Sequence, residues 1–207
     1  MPAPLPSPLP LILASSSSYR RELLSRLRYP FNVVSPDIDE SPRAGEQAPA
    51  TAMRLAREKA EAVARTHPGS VVIGSDQVAV CDTQQLGKPG NHARALAQLQ
   101  FMRGKIVRFH TAVCVLQANG LRCEQADIVS DVRFRDLPDT VLNAYLLAET
   151  PYDVAGGAKV EGFGIALLEC VQSEDPTALV GLPLITLTAM LERAGIDLFS
   201  EPRARLS

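Results

Sequence analysis

The run Val71-Val72-Ile73-Gly74-Ser75-Asp76-Gln77-Val78-Ala79-Val80 is the strongest strand signal in the chain, and a polar insert interrupts it. An acid among β-branched residues is costly unless it is paired or bound to metal. Asp76 therefore either meets a partner or faces a site, and it is the first candidate for catalysis. Groups suited to phosphate stand elsewhere. Ser15 to Ser18 precede Tyr19-Arg20-Arg21, where serine can cap a helix and the amides of its first turn, with the arginines, can meet phosphate oxygens. Leu86-Gly87-Lys88-Pro89 is a loop held by glycine and proline that could aim Lys88 at the same place. Lys59 flanks the apolar stripe of a helix and can reach a cleft. Taken singly, these residues also fit plain duties as caps and surface ion pairs.

Other chemistries lack support. The glycines between Asp153 and Gly164 form neither GxGxxG in a βαβ setting nor GxxxxGK[ST], so neither a Rossmann nor a P-loop mechanism is indicated. His67, His92 and His110 fall in separate elements without HxxxH or HExxH spacing. No GxSxG elbow is present, and Ser75 has no evident base beside it. Cys81, Cys114, Cys123 and Cys170 are too far apart for a metal knuckle and read as buried free thiols, which suits a reducing cytoplasm.

The elements that must position these residues alternate between strand and helix signals. An apolar strand from Leu9 to Ala14 leads through the serines into a helix, and Phe31 to Ser35 reads as a second strand, followed by the acidic Pro36-Asp37-Ile38-Asp39-Glu40. Thr51 to Arg65 is expected to be helical, with Met53, Ala56, Ala60 and Val63 inward. After the central strand and a turn at Asp82 to Gln85, Asn91 to Met102 reads as a helix stopped at Gly104. Ile106 to Leu116 and Arg122 to Phe134 are expected to pair antiparallel through Gln117-Ala118-Asn119-Gly120. Pro138 to Leu147 reads as a helix with Val141, Leu142, Tyr145 and Leu146 inward, and Ile165 to Val171 as a strand. A last helix, with Leu184, Leu187 and Leu191 facing the core, runs to about Ala194.

The 207 residues fit one α/β domain, or two small lobes sharing a cleft. Residues 1–10 are expected to be a flexible leader without signal-peptide character, 11–197 the catalytic domain, and 198–207 a loose tail. A net charge of −2 without any lysine- or arginine-rich run argues against gripping a nucleic acid polymer. No apolar run reaches the roughly 18 to 20 residues of a membrane span, so a soluble, cytoplasmic protein without membrane partners is expected.

Seven segments in order resemble the Maf family of nucleotide pyrophosphatases over Leu11 to Asp197. They are Leu13-Ala14-Ser15-Ser16-Ser17 with Arg20-Arg21, Asp39-Glu40, Arg57-Glu58-Lys59-Ala60, Gly74-Ser75-Asp76-Gln77-Val78, Gly87-Lys88-Pro89, Glu161-Gly162-Phe163-Gly164 and Val180-Gly181-Leu182-Pro183. The resemblance implies an α/β fold with an elongated, twisted mixed β-sheet flanked by helices, and two lobes around a nucleotide cleft, as in Maf and ITPase-like proteins. It implies that Asp76 is the proton acceptor that activates water, that Ser15, Arg20, Lys59 and Lys88 hold phosphates, and that Glu40 joins Asp76 at a divalent cation, Mg2+ or Mn2+. Cations beside the phosphates suit phosphoanhydride hydrolysis, which needs positioning and charge neutralisation.

Three further positions concern the base. The family branch acting on dTTP and UTP typically carries arginine, threonine and glutamine where this chain has Tyr19, Gln77 and Glu161. These residues instead resemble the branch acting on 7-methyl-GTP, although its first position is usually tryptophan. The delocalised positive charge of N7-methylated guanine suits an aromatic face and a carboxylate. The implied partner is thus a small nucleotide, split into monophosphate and pyrophosphate, and a homodimer is compatible with the sequence. The alternatives are a broader house-cleaning pyrophosphatase for dTTP, UTP or other modified nucleotides, and a nucleotide-binding regulator of cell division or septum formation.

Overall fold

Strand β1 (Leu11–Ala14) is buried along its whole length because it runs between two parallel neighbours, β2 (Asn32–Val34) and β3 (Val71–Cys81). That position explains its uninterrupted apolar sequence. The computed structural model describes residues 9–117 and 122–199. The rest of the sheet is antiparallel. Strand β5 (Ile106–Gln117) pairs with β3 from Val71↔Gln117 to Cys81↔Val107, then with β6 (Cys123–Phe134), which pairs with β7 (Leu168–Ser173). A short β4 (Gln84–Leu86) turns back on the end of β3. The result is a mixed sheet in the order β2-β1-β3-β5-β6-β7.

The helices divide the core into two lobes that share β3 and β5. On one face of the first lobe, α1 (Ser18–Ser25) and α5 (Leu184–Arg193) cover Leu11, Leu13, Val71 and Ile73, while α2 (Ala48–Ala64) covers Ile12, Ala14, Val72 and Val78 on the other. In the second lobe α3 (His92–Met102) and α4 (Asp139–Glu149) enclose Ala79, Cys81, Phe109 and Phe134. The α/β architecture with a mixed sheet, flanking helices and two lobes is as expected. No helix among the described residues is long and apolar enough to cross a membrane.

Several local expectations need correction. Of the residues expected inward on α2, Ala56, Ala60 and Val63 are buried but Met53 is only half-buried, and the buried face carries a row of alanines, Ala48, Ala52, Ala56, Ala60 and Ala64, repeating every fourth residue, with Lys59 itself buried beside them. Val141 on α4 is 42% exposed, because the packed stripe is Leu142, Tyr145 and Leu146. Ile165 is also exposed. Residues 163–167 form a 3-10 turn and the strand begins only at Leu168, since the backbone must first fold over Lys159. The turn expected at Asp82 to Gln85 is tighter, with Gln84 and Gln85 already in β4. Cys123 and Cys170 are exposed, while Cys81 and Cys114 are buried as expected. Most of the leader, the Asn-Gly turn and the tail from residue 200 lie outside the described residues.

Candidate active site

Asp76 occupies a break in the pairing along one edge of β3. On that edge β1 reaches only to Gly74, through Ala14↔Gly74, and β4 begins only at Ala79, through Ala79↔Leu86. The backbone between them faces the carboxyl end of the parallel strand β1, the place where open α/β sheets receive ligands. Successive side chains on a strand point to opposite faces. Asp76 accordingly points toward α2, and Ser75 and Gln77 point to the other side.

On the α2 side a cation meets the acid. Lys59 Nζ donates to Asp76 Oδ1 at 2.7 Å and lies 3.1 Å from Glu40 Oε1. Lys59 and Asp76 are both buried, whereas Glu40 stands exposed on the loop after β2. The pairing depends on how closely α2 lies on β3, which the alanine stripe and Gly74 allow. A methyl group at Gly74 would stand 2.0 Å from the Ala56 carbonyl oxygen. Two carboxylates converging on one positive charge also form a hard-oxygen donor set of the kind magnesium takes alongside substrate phosphates.

The loop carrying Glu40 is tied to α2 by Glu46, which accepts from Arg54 Nε and Nη2 at 2.7 Å each, while Arg54 Nη2 also donates to Ser41 O. The Arg54 guanidinium holds the Glu46 carboxyl at about 2, below its ordinary 4.5. A folded value lowered in this way gives stability that is present above pH 4.5 and lost as pH falls from 4.5 toward about 2. Glu46→Gln is therefore expected to flatten that part of the acid-unfolding curve followed by circular dichroism. An unchanged curve would remove Glu46 from the account.

The groups expected from the sequence to meet phosphate stand in the same cleft as the acid. Ser17 caps α1 by accepting from Arg20 N, and Ser15 Oγ accepts from Ser17 N at 3.1 Å, which fixes the serine turn between β1 and α1. The amides opening α1 are those that helix geometry leaves for an anion. Arg20 Nε donates to Gly181 O at 2.8 Å. Burial lowers the Arg20 pKa, and the Asp76 and Glu40 carboxylates pull it back up, so the guanidinium is held in their field. Lys88 is exposed at the rim, on the loop after β4.

The opposite wall is the turn at 178–181, whose carbonyls are met by side chains. Gln77 Nε2 donates to Ala178 O, Leu179 O and Thr111 Oγ1, Thr111 Oγ1 donates to Ala178 O, and Ser75 Oγ lies 2.9 Å from Gly181 O. Gly181 has φ 118°, which a side chain would strain. The buried Asp175 fastens this turn to α5 by accepting from Thr177 N, Thr177 Oγ1 and Ile185 N. The Gln77 amide nitrogen is thus committed to the wall itself.

Tyr19, half-buried on α1, and Glu161, exposed on the glycine-rich segment, also line the cleft. Partial desolvation pushes the Glu161 carboxyl up, a hydrogen bond from its own backbone amide and the charge of Lys159 pull it down, and Glu149 and Asp153 push it further up. All nine residues singled out by sequence, namely Ser15, Tyr19, Arg20, Glu40, Lys59, Asp76, Gln77, Lys88 and Glu161, line one cleft of about 600 Å3. None of the three histidines lines it. Sequence reasoning missed Thr111, Asp175 and the pair Glu149–Lys159. Only the position of Gly181 within Val180-Gly181-Leu182-Pro183 marked the wall that Thr111 and Asp175 build.

The model of the Maf-like protein family matches residues 10–194. A protein from Cupriavidus metallidurans named 7-methyl-GTP pyrophosphatase is 63% identical over 91% of this chain and 95% of its own length. Proteins of the same name from Burkholderia pseudomallei and Ralstonia nicotianae are 62% and 60% identical, over 95% and 92% of this chain and 93% and 98% of theirs. Among solved structures, a HAM1 protein from Coxiella burnetii superposes with a TM-score of 0.46 and 17% identity, over 63% of this chain and 75% of that one.

Proposed function

The chain belongs to the Maf-like family, and from that premise we propose that it is a metal-assisted pyrophosphatase that hydrolyses 7-methyl-GTP to 7-methyl-GMP and pyrophosphate. The observation that carries the proposal is a buried carboxylate, Asp76, sharing one cleft with the cations Arg20, Lys59 and Lys88 and with Tyr19 and Glu161.

In the mechanism that follows, Asp76 takes a proton from water as the water oxygen bonds to phosphorus and the anhydride bond between the α- and β-phosphates breaks. Arg20, Lys59, Lys88 and the serine turn bind the phosphate oxygens and the departing pyrophosphate. Glu40 and Asp76 would hold a divalent cation, Mg2+ or Mn2+, which when bound neutralises phosphate charge. Gln77 acts by holding the wall at 178–181, and so fixes the Gly181 carbonyl that orients Arg20. Tyr19 offers its ring to the cationic base and Glu161 accepts from the guanine N1 and N2 hydrogens. A cytoplasmic setting suits the four free cysteines.

The test is a panel of nucleotides with purified protein and Mg2+ or Mn2+. Pyrophosphate release, fastest from 7-methyl-GTP and abolished by chelation, is expected. Release of single phosphate would overturn the reaction, and faster turnover of dTTP or UTP the base preference. Tyrosine where the branch usually has tryptophan favours a second, broader specificity, which the same panel would show as near-equal rates. Glu161→Gln is expected to weaken the preference for methylated over unmethylated guanine by about 1–3 kcal/mol, the scale of a hydrogen bond to a charged group. The wild-type preference should also fade on acidification, and at a higher pH than an ordinary glutamate would dictate, because the Glu161 pKa is raised. An unchanged ratio in the variant would remove Glu161 from base recognition.

A further inference from the structure

The glycine-rich segment that carries Glu161 is fastened to the end of α4 by one ion pair. Lys159 Nζ lies 2.9 Å from Glu149 Oε1, and Glu149 Oε2 accepts from Phe163 N at 3.0 Å. Lys159 N donates to the hydroxyl of the buried Tyr145, and the Lys159 carbonyl accepts from Gly162 N and Gly164 N. Glycine is required at 164, where a methyl group would stand 2.5 Å from the Lys159 carbonyl oxygen. The folded segment thereby brings Lys159 Nζ to 5.7 Å from the centroid of the Tyr19 ring.

That placement is unexpected for a ring meant to receive a positively charged base, because an ammonium group already occupies its field. Lys159 also acts on Glu161, opposed by Glu149 and Asp153. An unpartnered lysine here would occupy both features that attract a cationic base, the ring and the carboxylate. Glu149 removes that competition by holding the ammonium at hydrogen-bond distance.

We propose that the Glu149–Lys159 ion pair is a specificity-determining device, in which Glu149 neutralises Lys159 so that Tyr19 and Glu161 remain available to a base carrying positive charge. This rests on the assignment of 7-methyl-GTP as substrate. Both residues act through Tyr19 and Glu161, and so are positioning residues, not catalytic ones.

Because the device is electrostatic, its two ends have opposite signs. Glu149→Gln keeps an oxygen for the Phe163 amide but frees the lysine charge. It should lower the ratio of kcat/KM for 7-methyl-GTP over GTP by about tenfold, with the change in KM and kcat retained. Lys159→Met removes the competing cation and should raise that ratio by about threefold. Lys159→Arg preserves the charge and should leave it within about twofold of wild type. Taking a ratio cancels any loosening of the segment that impairs both nucleotides alike. Ratios moving in opposite directions support the device; ratios that stay put, or move the same way in Glu149→Gln and Lys159→Met, overturn it. A wild-type protein that fails to prefer the methylated nucleotide defeats the substrate assignment and the device together. A wild-type preference with unmoved variant ratios defeats the device alone.

Discussion

Replacing Asp76 by Asn is expected to lower kcat for pyrophosphate release by about 10³-fold or more while leaving a folded protein. The first half follows from chemistry. Loss of a positioned general base typically costs about 10²–10⁴-fold, and this change also takes a charged oxygen from the proposed metal site. The second half follows from the neighbours of Lys59. Removing one partner of a buried ion pair can cost about 3–5 kcal/mol when the other charge is left alone. Here Lys59 Nζ keeps Glu40 at 3.1 Å, and the Asn carbonyl oxygen can still accept from it in place of Asp76 Oδ1. Pyrophosphate assays alongside thermal melts separate the two effects. A well-folded Asp76→Asn protein retaining more than about a tenth of wild-type activity would dismiss Asp76 as the base. If the chain instead acted on cell division by binding nucleotide, the same variant would preserve the cellular effect while losing hydrolysis.

Asp76 was legible in the sequence because its side chain violates a rule: an acid in a β-branched run needs a reason, and here there are two, a gap in strand pairing beside it and a buried cation, Lys59, that meets it from α2. The serine turn was legible for a related cause, since an apolar strand followed by serines and arginines specifies a capped helix start by local geometry alone. Lys59 was harder. Its burial depends on a helix face made of alanines: the pattern marks Ala56, Ala60 and Val63 correctly, but alanine is too weakly apolar for Ala52 and Ala64 to outvote Met53, which is only half-buried. Thr111 was invisible because its partner is a backbone carbonyl 67 residues away, a relation no local pattern encodes, and Asp175 because only the folded turn shows that its carboxylate ties Thr177 to the first turn of α5. Ile165 to Val171 misled for the opposite reason. Its local β signal is real, but close folding of the backbone over Lys159 takes the first residues into a 3-10 turn.

Gly74→Ala is expected to damage the site without touching any residue that contacts substrate. The Gly74 requirement is for space, since an added methyl group would lie 2.0 Å from the Ala56 carbonyl oxygen and 2.8 Å from Ala60 N. Both are backbone atoms of α2, so no side-chain rotation relieves the clash and the helix must move away by about an ångström or more, given the 3.5–4.0 Å at which carbon contacts are comfortable. Overpacking of this kind costs about 1–3 kcal/mol, and more where the backbone resists. Lys59 lies three residues along the same helix from Ala56, so the movement also lengthens its 2.7 Å bond to Asp76 and exposes a buried charge pair. A loss of about 3 kcal/mol or more follows, equivalent to roughly 6–12 °C in Tm for a chain of this size, together with a fall in kcat as the acid loses its fixed position. Gly87→Ala is the matched control, because a methyl group there meets nothing within 4 Å. A Gly74→Ala protein that melts like the Gly87→Ala protein and turns over like wild type would show that α2 does not need to lie so close to β3, and that the site is held by something other than the alanine face.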